Sequence, residues 1–224
     1  MLRRPLWTLL AGIVLLGTAF TPPAAADPVL KPMFDGKTLD GWTASKPGEY
    51  LVKDGAIHST GKSRGWLYYN KQQAGTFRWL FHLRQVKGNH APSVLIWGVT
   101  QPINGLGAIQ FQPPNGGHWD YRPGHNNSGK EFFTKYPHPK WDVQKWAQCE
   151  IVGNQATGIA RMACCPLPAG ASKCKATEVL SFKDKKAARV GPLAIQIHNS
   201  GIEDEYKNLQ LEYPVADPDK LITT

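Results

Sequence analysis

A glutamine and a histidine, Gln196 and His198, stand two positions apart in the apolar segment 191–198. Alternate side chains of a β-strand point to the same face, so an extended segment would present both side chains together. An imidazole can accept or release a proton near neutral pH, and a side-chain amide offers hydrogen-bond donors and an acceptor. The pair therefore suits either an ordinary polar surface or a site that holds hydroxyl groups and moves protons.

Two further segments show the same alternation. His82 lies on the polar side of segment 76–84, while Gln110 and Gln112 lie on the polar side of segment 108–112. The side chains that we predict to face the core are Phe77, Trp79, Phe81, Leu83, Ile109, Phe111, Leu193, Ile195 and Ile197. Three strands thus each present a hydrogen-bonding face on the side away from the core.

Amides, imidazoles and aromatic rings are the groups that a sugar site requires, because hydroxyls need paired donors and acceptors and a pyranose face stacks on a ring. The candidate platforms are Trp97, Trp119, Tyr121, Phe132 and Tyr136. The ordinary explanation is that the outer face of an antiparallel sheet is polar because it meets water. The pattern alone favours that explanation over a binding site.

We predict that these residues lie on short strands, since the sequence has few long stretches with helical periodicity. We predict strands at 50–53, 56–60, 65–69, 76–86, 93–99, 108–113, 145–152, 157–164, 178–182, 193–198 and 205–213. Their number and spacing predict an all-β fold, an antiparallel sandwich or jelly roll.

Turn and loop signals divide these strands. Asp54-Gly55 and Gly153-Asn154 are tight-turn signals, and we predict that the segments before and after an acidic turn near Glu205 form a hairpin. The long segment 113–141 is rich in Gly, Pro, Asn, His and aromatic residues, and a loop of this length in a compact domain is usually functional or mobile. The C-terminal tail, 214–224, is expected to be frayed.

The N-terminal segment 1–26 predicts a secretory signal peptide: a basic start, an apolar run and small residues before a cleavage point after Ala26. The alternative is a membrane anchor, for which the apolar run is short. The expected product is one domain over 27–213, secreted or periplasmic, with no stable membrane anchor.

The charge of the chain is moderately basic. The sequence has 26 Lys and Arg against 17 Asp and Glu, a net charge of +9, which falls to +7 when Arg3 and Arg4 leave with the signal peptide. Scattered basic residues indicate a solvated surface rather than a nucleic-acid footprint, so we expect no nucleic-acid partner.

Four cysteines, Cys149, Cys164, Cys165 and Cys174, indicate disulfides in an exported protein. Adjacent Cys164 and Cys165 point to opposite faces of a strand, so they should have different partners. One of them with Cys174 would close a Pro-rich loop, and the other could reach Cys149. A zinc site would need a different spacing.

Several motifs in order resemble the 3-keto-disaccharide hydrolase family. Met33–Trp42 is similar to its LFDGKTLDGW opening, Lys53–Ile57 to its V-x-D-G-x-L, Lys145–Ile151 in part to EWN-x-x-E-I, and Gly191–Leu211 to G-x-I-x-L-Q-x-H-G…E-F-R-N-I. The resemblance covers about 33–213. It implies a concanavalin- or LamG-like jelly roll of two antiparallel sheets and action on glycosides oxidised at C3.

The chemistry that this resemblance implies needs a base and enolate-stabilising donors, but no paired carboxylates, cofactor or metal. A C3 ketone acidifies the C2 proton, so a base can remove it while the C1 group leaves, and water can then add. His198 would be the acid and base, Glu205 would orient it or share the proton work, and Lys207 would stabilise the enolate. The substrate-binding residues would be His82, Gln110, Gln112, Trp119 and Gln196.

The sequence departs from the family at three site positions. His82 and Gln110 replace family glutamates, and Trp97 replaces an arginine. A non-catalytic carbohydrate-binding protein on the same scaffold is therefore the alternative to an enzyme. A metal-dependent hydrolase that uses His82, His118 and His198 ranks last, because no ligand spacing supports it.

Overall fold

The computed structural model describes residues 28–99, 107–113 and 142–224, together with the backbone of 118–120. The predicted signal peptide and most of the predicted loop 113–141 lie outside these residues. Within the described ranges, no helix is long and apolar enough to cross a membrane.

The regular secondary structure of the described residues consists of strands only, and these strands form two antiparallel sheets. In chain order the strands are β1 (Lys31–Pro32), β2 (Trp42–Ala44), β3 (Tyr50–Lys53), β4 (Ala56–Ser59), β5 (Gly65–Tyr69), β6 (Phe77–Lys87), β7 (Ser93–Ile96), β8 (Ile109–Phe111), β9 (His118–Asp120), β10 (Ala147–Asn154), β11 (Ile159–Pro166), β12 (Thr177–Lys183), β13 (Ala194–Ile197) and β14 (Glu203–Glu212). The eight-stranded large sheet has the order β12-β11-β10-β6-β14-β4-β3, with β1 paired to β14. The six-stranded small sheet has the order β2-β5-β13-β7-β8-β9.

The core lies between the two sheets, and it contains every side chain that the alternation predicts to face inward. Trp79 and Phe81 from the large sheet are fully buried, as are Ile195 and Ile197 from the small sheet. Each such side chain contributes about 1.5–3 kcal/mol by leaving water. Trp97, a predicted sugar platform, also belongs to this core and donates its indole N–H to the Gly75 carbonyl at 2.8 Å, so that prediction is wrong.

The predicted hairpin near the C-terminal end is wrong as well. Strands β13 and β14 belong to different sheets, and residues 198–202 connect them across the edge of the sandwich. Glu205 lies within β14 rather than in a turn. The alternation in the two segments is correct, but each strand buries its apolar face from the opposite side of the core.

The two tight-turn predictions differ in outcome. Asp54 and Gly55 join β3 to β4 with φ values of 50° and 74°, as a two-residue hairpin turn with two positive φ angles requires. Gly153 and Asn154 instead continue β10, and the turn follows at 155–158, where the Asn154 carbonyl accepts the Gly158 N–H.

Two disulfides resolve the cysteine alternatives. Cys149 and Cys164 are directly opposite on β10 and β11 and lie in the core. Cys165 bonds Cys174 on the outer side of the large sheet and closes the loop 166–173. Disulfides of this kind are typical of proteins in an oxidising, extracellular compartment.

A buried ionic network holds the C-terminal tail against the outer face of the large sheet. Arg78 pairs with Glu150 and with Glu212, and all three residues are at most 3% exposed. Glu150 also accepts the backbone N–H groups of Ile222 and Thr223 at 2.9–3.0 Å. The prediction of a frayed tail is therefore wrong, because the groups that bind it lie about 70 residues away in sequence.

Asp204 is a second buried titratable residue, and it lies in the core beside Tyr50 and Tyr206. It is 1% exposed, and its Oδ1 has no hydrogen-bond partner among the described residues. Burial raises the pKa of Asp204 from 3.8 to about 8. The carboxyl is therefore protonated at neutral pH in the folded protein.

We expect Glu150→Gln to destabilise the protein by about 3–5 kcal/mol, because it leaves the buried Arg78 with one carboxylate fewer. The free energy of unfolding in urea measures this change. The control is Glu178→Gln, which removes a partly exposed pair with Arg161 and should cost less than about 1 kcal/mol. Equal losses in both variants would contradict the role given to the network.

We expect Asp204→Asn to make stability less dependent on pH. The folded pKa lies above the unfolded one, so the stabilisation from this group is complete below about pH 4 and declines until about pH 8. A tenfold difference in proton affinity between the folded and unfolded states corresponds to about 1.4 kcal/mol. Urea unfolding at pH 4, 6 and 8 should show the variant gaining on the wild type as pH rises; a constant difference would contradict the burial of a neutral carboxyl.

Candidate functional site

The outer face of the small sheet carries polar side chains that are buried although they point away from the core. Gln196 on β13 is opposite Trp66 on β5 and Ser93 on β7. One row further along, Gln110 on β8 is opposite Leu95. Gln196 is 2% exposed and Gln110 is 0% exposed, which is unusual for the outer face of a sandwich.

Gln196 is incompletely hydrogen-bonded. Its Oε1 has no partner among the residues that the structure describes. A buried acceptor of this kind costs about 1–3 kcal/mol unless a partner satisfies it. A ligand hydroxyl would satisfy it.

Two histidines stack at the end of this face. The rings of His90 and His198 are 3.7 Å apart between centroids and nearly parallel, with 12° between their planes. Gln112 places its Nε2 2.9 Å from the Nε2 of His90, so the face also includes Gln112. His198 is partly exposed, and its Nδ1 lies 2.9 Å from the Oδ1 of Asn199.

The hydrogen-bond partners of His90 and His198 indicate which ring nitrogen carries the proton in each histidine. His90 Nδ1 donates to the Ala91 carbonyl, and its Nε2 accepts from Gln112. Burial, followed by the nearby charge of His198, lowers the pKa of His90 to about 4, so this ring is neutral at pH 7. The Asn199 oxygen can only accept, so His198 carries its proton on Nδ1 and has Nε2 as its basic nitrogen.

The structure thus brings together four of the predicted site residues: Gln110, Gln112, Gln196 and His198. Trp119 is also opposite Gln110 in the β8–β9 pairing, but its side chain lies outside the described residues. The other predicted platforms, Tyr121, Phe132 and Tyr136, lie outside them too.

The remaining predicted residues, His82, Glu205 and Lys207, lie on the outer face of the large sheet, with the core between them and His198. Glu205 accepts from Arg84 at 2.6–2.7 Å and contacts His58 at 3.2 Å. The structure does not bring Glu205 to His198, because consecutive strands that belong to opposite sheets present their polar faces in opposite directions.

Lys207 takes part in the surroundings of Glu205 rather than in those of His198. Its ammonium lies 4.2 Å from the ring centroid of Trp146, and Arg84 approaches the same ring at 4.7 Å. His82 is opposite Lys207 in the β6–β14 pairing. A metal site shared by His82 and His198 therefore has no support in the geometry.

Sequence reasoning missed His90 and the two aromatic residues beside Gln196. Trp66 and Tyr68 are partly buried and pack against Leu95 and Ala194 on the same face. One signal was present in the sequence: Asn89-His90-Ala91 stands where the resembling family has an N-S-G motif, so His90 takes the place of a serine. Its position beside His198 follows only from the pairing of β7 with β13.

Solved structures similar to this chain include legume lectins. Lectin II from Ulex europaeus is 9% identical with a TM-score of 0.51, covering 77% of this chain and 92% of the lectin. The winged bean acidic lectin complexed with methyl-alpha-D-galactose is 11% identical with a TM-score of 0.51, covering 80% and 93%. The basic winged bean lectin with Tn-antigen is 10% identical with a TM-score of 0.51, covering 77% and 92%. These likenesses show the concanavalin-like jelly roll that the sequence predicts.

Sequence comparisons identify the family. No curated protein sequence matches the chain. The sequence profile of the 3-keto-alpha-glucoside-1,2-lyase-like domain matches residues 30–212, which include both sheets and the face that carries Gln196 and His198. The chain therefore belongs to the 3-keto-alpha-glucoside-1,2-lyase-like family.

Proposed function

We propose that this protein is an exported enzyme that cleaves glycosidic bonds of 3-keto-sugars by elimination and hydration at C1–C2. The observation that carries the proposal is the Gln196 acceptor, which has no hydrogen-bond partner among the described residues and is buried on the same face as His198. The predicted signal peptide and the two disulfides support export.

The reaction begins when His198 Nε2 accepts the C2 proton of the bound sugar, which the C3 ketone has made acidic. The C2–H bond breaks and its electrons form an enolate that is stabilised by amide N–H donors. The electrons then form the C1=C2 bond as the C1–O bond breaks, and the imidazolium returns its proton to the departing oxygen. Water adds across the double bond to complete a net hydrolysis.

The neighbours of His198 suit this role. His90 is neutral and stacks on the ring, so it adds no charge that would oppose the imidazolium formed in the first step. Asn199 Oδ1 holds the Nδ1 proton and keeps Nε2 as the base. The Gln196 acceptor would bind a hydroxyl of the sugar.

A non-catalytic sugar-binding protein is the second candidate. It is favoured by Gln110, a fully buried amide on the same face where the family resemblance has a glutamate, because an amide cannot transfer protons. The winged bean lectins on the same fold also bind sugars, as their complexes with methyl-alpha-D-galactose and Tn-antigen indicate.

We expect His198→Ala to lower kcat on a 3-keto-disaccharide by at least about 100-fold while binding of the sugar survives, because the variant loses the base but keeps the amides. Turnover is followed by release of the reducing sugar, and binding by calorimetry. The control is Glu205→Gln on the other sheet, which should leave kcat unchanged at a temperature where it is folded. Binding of the sugar by the wild type without any turnover would reject the enzyme and leave the sugar-binding protein.

We expect Gln196→Met to weaken sugar binding by about tenfold while the free energy of unfolding does not fall, because the variant removes a buried acceptor that has no partner among the described residues. The matched control is Gln148→Met on the large sheet. Gln148 donates to the Cys174 carbonyl at 3.1 Å, so its loss should lower stability and leave affinity at the small sheet unchanged. A Gln196→Met variant that is destabilised but binds normally would show a purely structural glutamine.

A further inference from the structure

The outer face of the large sheet contains a cavity of about 530 Å³. His82 and Leu80 from β6, Gln148 from β10 and Gln210 from β14 form part of its lining. The volume lies within the range of small-molecule sites, about 300–1,000 Å³. The core separates this cavity from His198, so it is distinct from the proposed active site.

Amide and imidazole side chains make the cavity lining polar but largely uncharged. Asn208 Nδ2 donates to His82 Nδ1 at 3.0 Å. Gln148 lies opposite His82 in the β6–β10 pairing, and its amide donates to the Cys174 carbonyl at 3.1 Å. Burial, followed by the charge of Lys207, lowers the pKa of His82 to about 4, so the ring is neutral at pH 7.

A β-bulge turns an extra side chain toward the cavity. The β14–β6 register shifts between Lys207 and Gln210, and Asn208 has a φ of 51°. Lys207 and Asn208 both lie on the outer side, while Tyr206 and Leu209 remain in the core. Asparagine tolerates this conformation better than most residues, and bulges commonly re-aim side chains at binding sites.

Two walls of the cavity are held in place before any ligand binds. The Cys165–Cys174 disulfide fixes the loop that carries Lys173, and Glu150 holds the backbone of Ile222 and Thr223. A pre-organised site loses less conformational entropy on binding, so these anchors favour a ligand site over an incidental gap.

The charges around the cavity select the ligand. None of the described residues that line it is acidic, whereas Lys173 lines it and Lys207 lies beside His82. Gln210 and Asn208 add amide donors and acceptors suited to hydroxyl groups. We propose that the cavity binds an acidic sugar, a uronic acid unit whose carboxylate pairs with Lys173 and whose hydroxyls bind the two amides.

Calorimetric titration of the full chain with D-glucuronate, D-glucose and acetate tests this site. We expect saturable binding of D-glucuronate, with D-glucose and acetate each about tenfold weaker or undetectable. Lys173→Gln should weaken D-glucuronate binding by about tenfold, because it removes the charge partner of the carboxylate. The matched control is Lys175→Gln, an exposed lysine on the same segment that does not line the cavity, which should bind as the wild type does.

A second variant tests the charge selection and keeps the backbone conformation of the bulge. Asn208→Asp places a carboxylate at the cavity and should weaken binding of D-glucuronate more than binding of D-glucose, since aspartate tolerates the same backbone conformation. His198→Ala should bind D-glucuronate normally while losing turnover, which separates this site from the proposed active site. The proposal is overturned if D-glucuronate does not bind, if D-glucose binds equally well, or if Lys173→Gln and Lys175→Gln behave alike.

Discussion

The alternation of side chains along each strand is the constraint on which the other features of this protein depend. Every strand gives one side chain to the space between the sheets and the next to an outer face. The inward set forms one core that contains Trp79, Phe81, Ile195 and Ile197. The outward sets form two polar surfaces with that core between them, so residues close in sequence can serve different surfaces.

Both outer faces bury polar groups, but the two faces differ in whether those groups have hydrogen-bond or ion-pair partners. On the large sheet the buried groups are paired: Arg78 and Glu150 neutralise each other and bind the tail. On the small sheet the Gln196 Oε1 has no partner among the described residues, and it lies on the face that ends in the stacked rings of His90 and His198. A buried group whose hydrogen bonds are satisfied does not incur the desolvation cost that an unsatisfied buried group incurs.

The two disulfides follow the same division. The Cys149–Cys164 bond lies in the core and ties neighbouring strands together, while Cys165 points outward and reaches Cys174. Adjacent cysteines on one strand thus support both sides of the large sheet. The loop closed by the outer bond and the C-terminal tail both line the cavity on the outer face of the large sheet.

Local periodicity, turn chemistry and ordered motifs were sufficient to predict the all-β class, the family, the inward side chains and the turn at Asp54-Gly55. The assignment of strands to the two sheets became known from the three-dimensional structure. It separated Glu205 from His198, placed Trp97 in the core, brought His90 onto His198 and attached the tail to Glu150. Strand pairing between distant segments depends on how whole apolar faces fit together, and the period of two does not encode that fit.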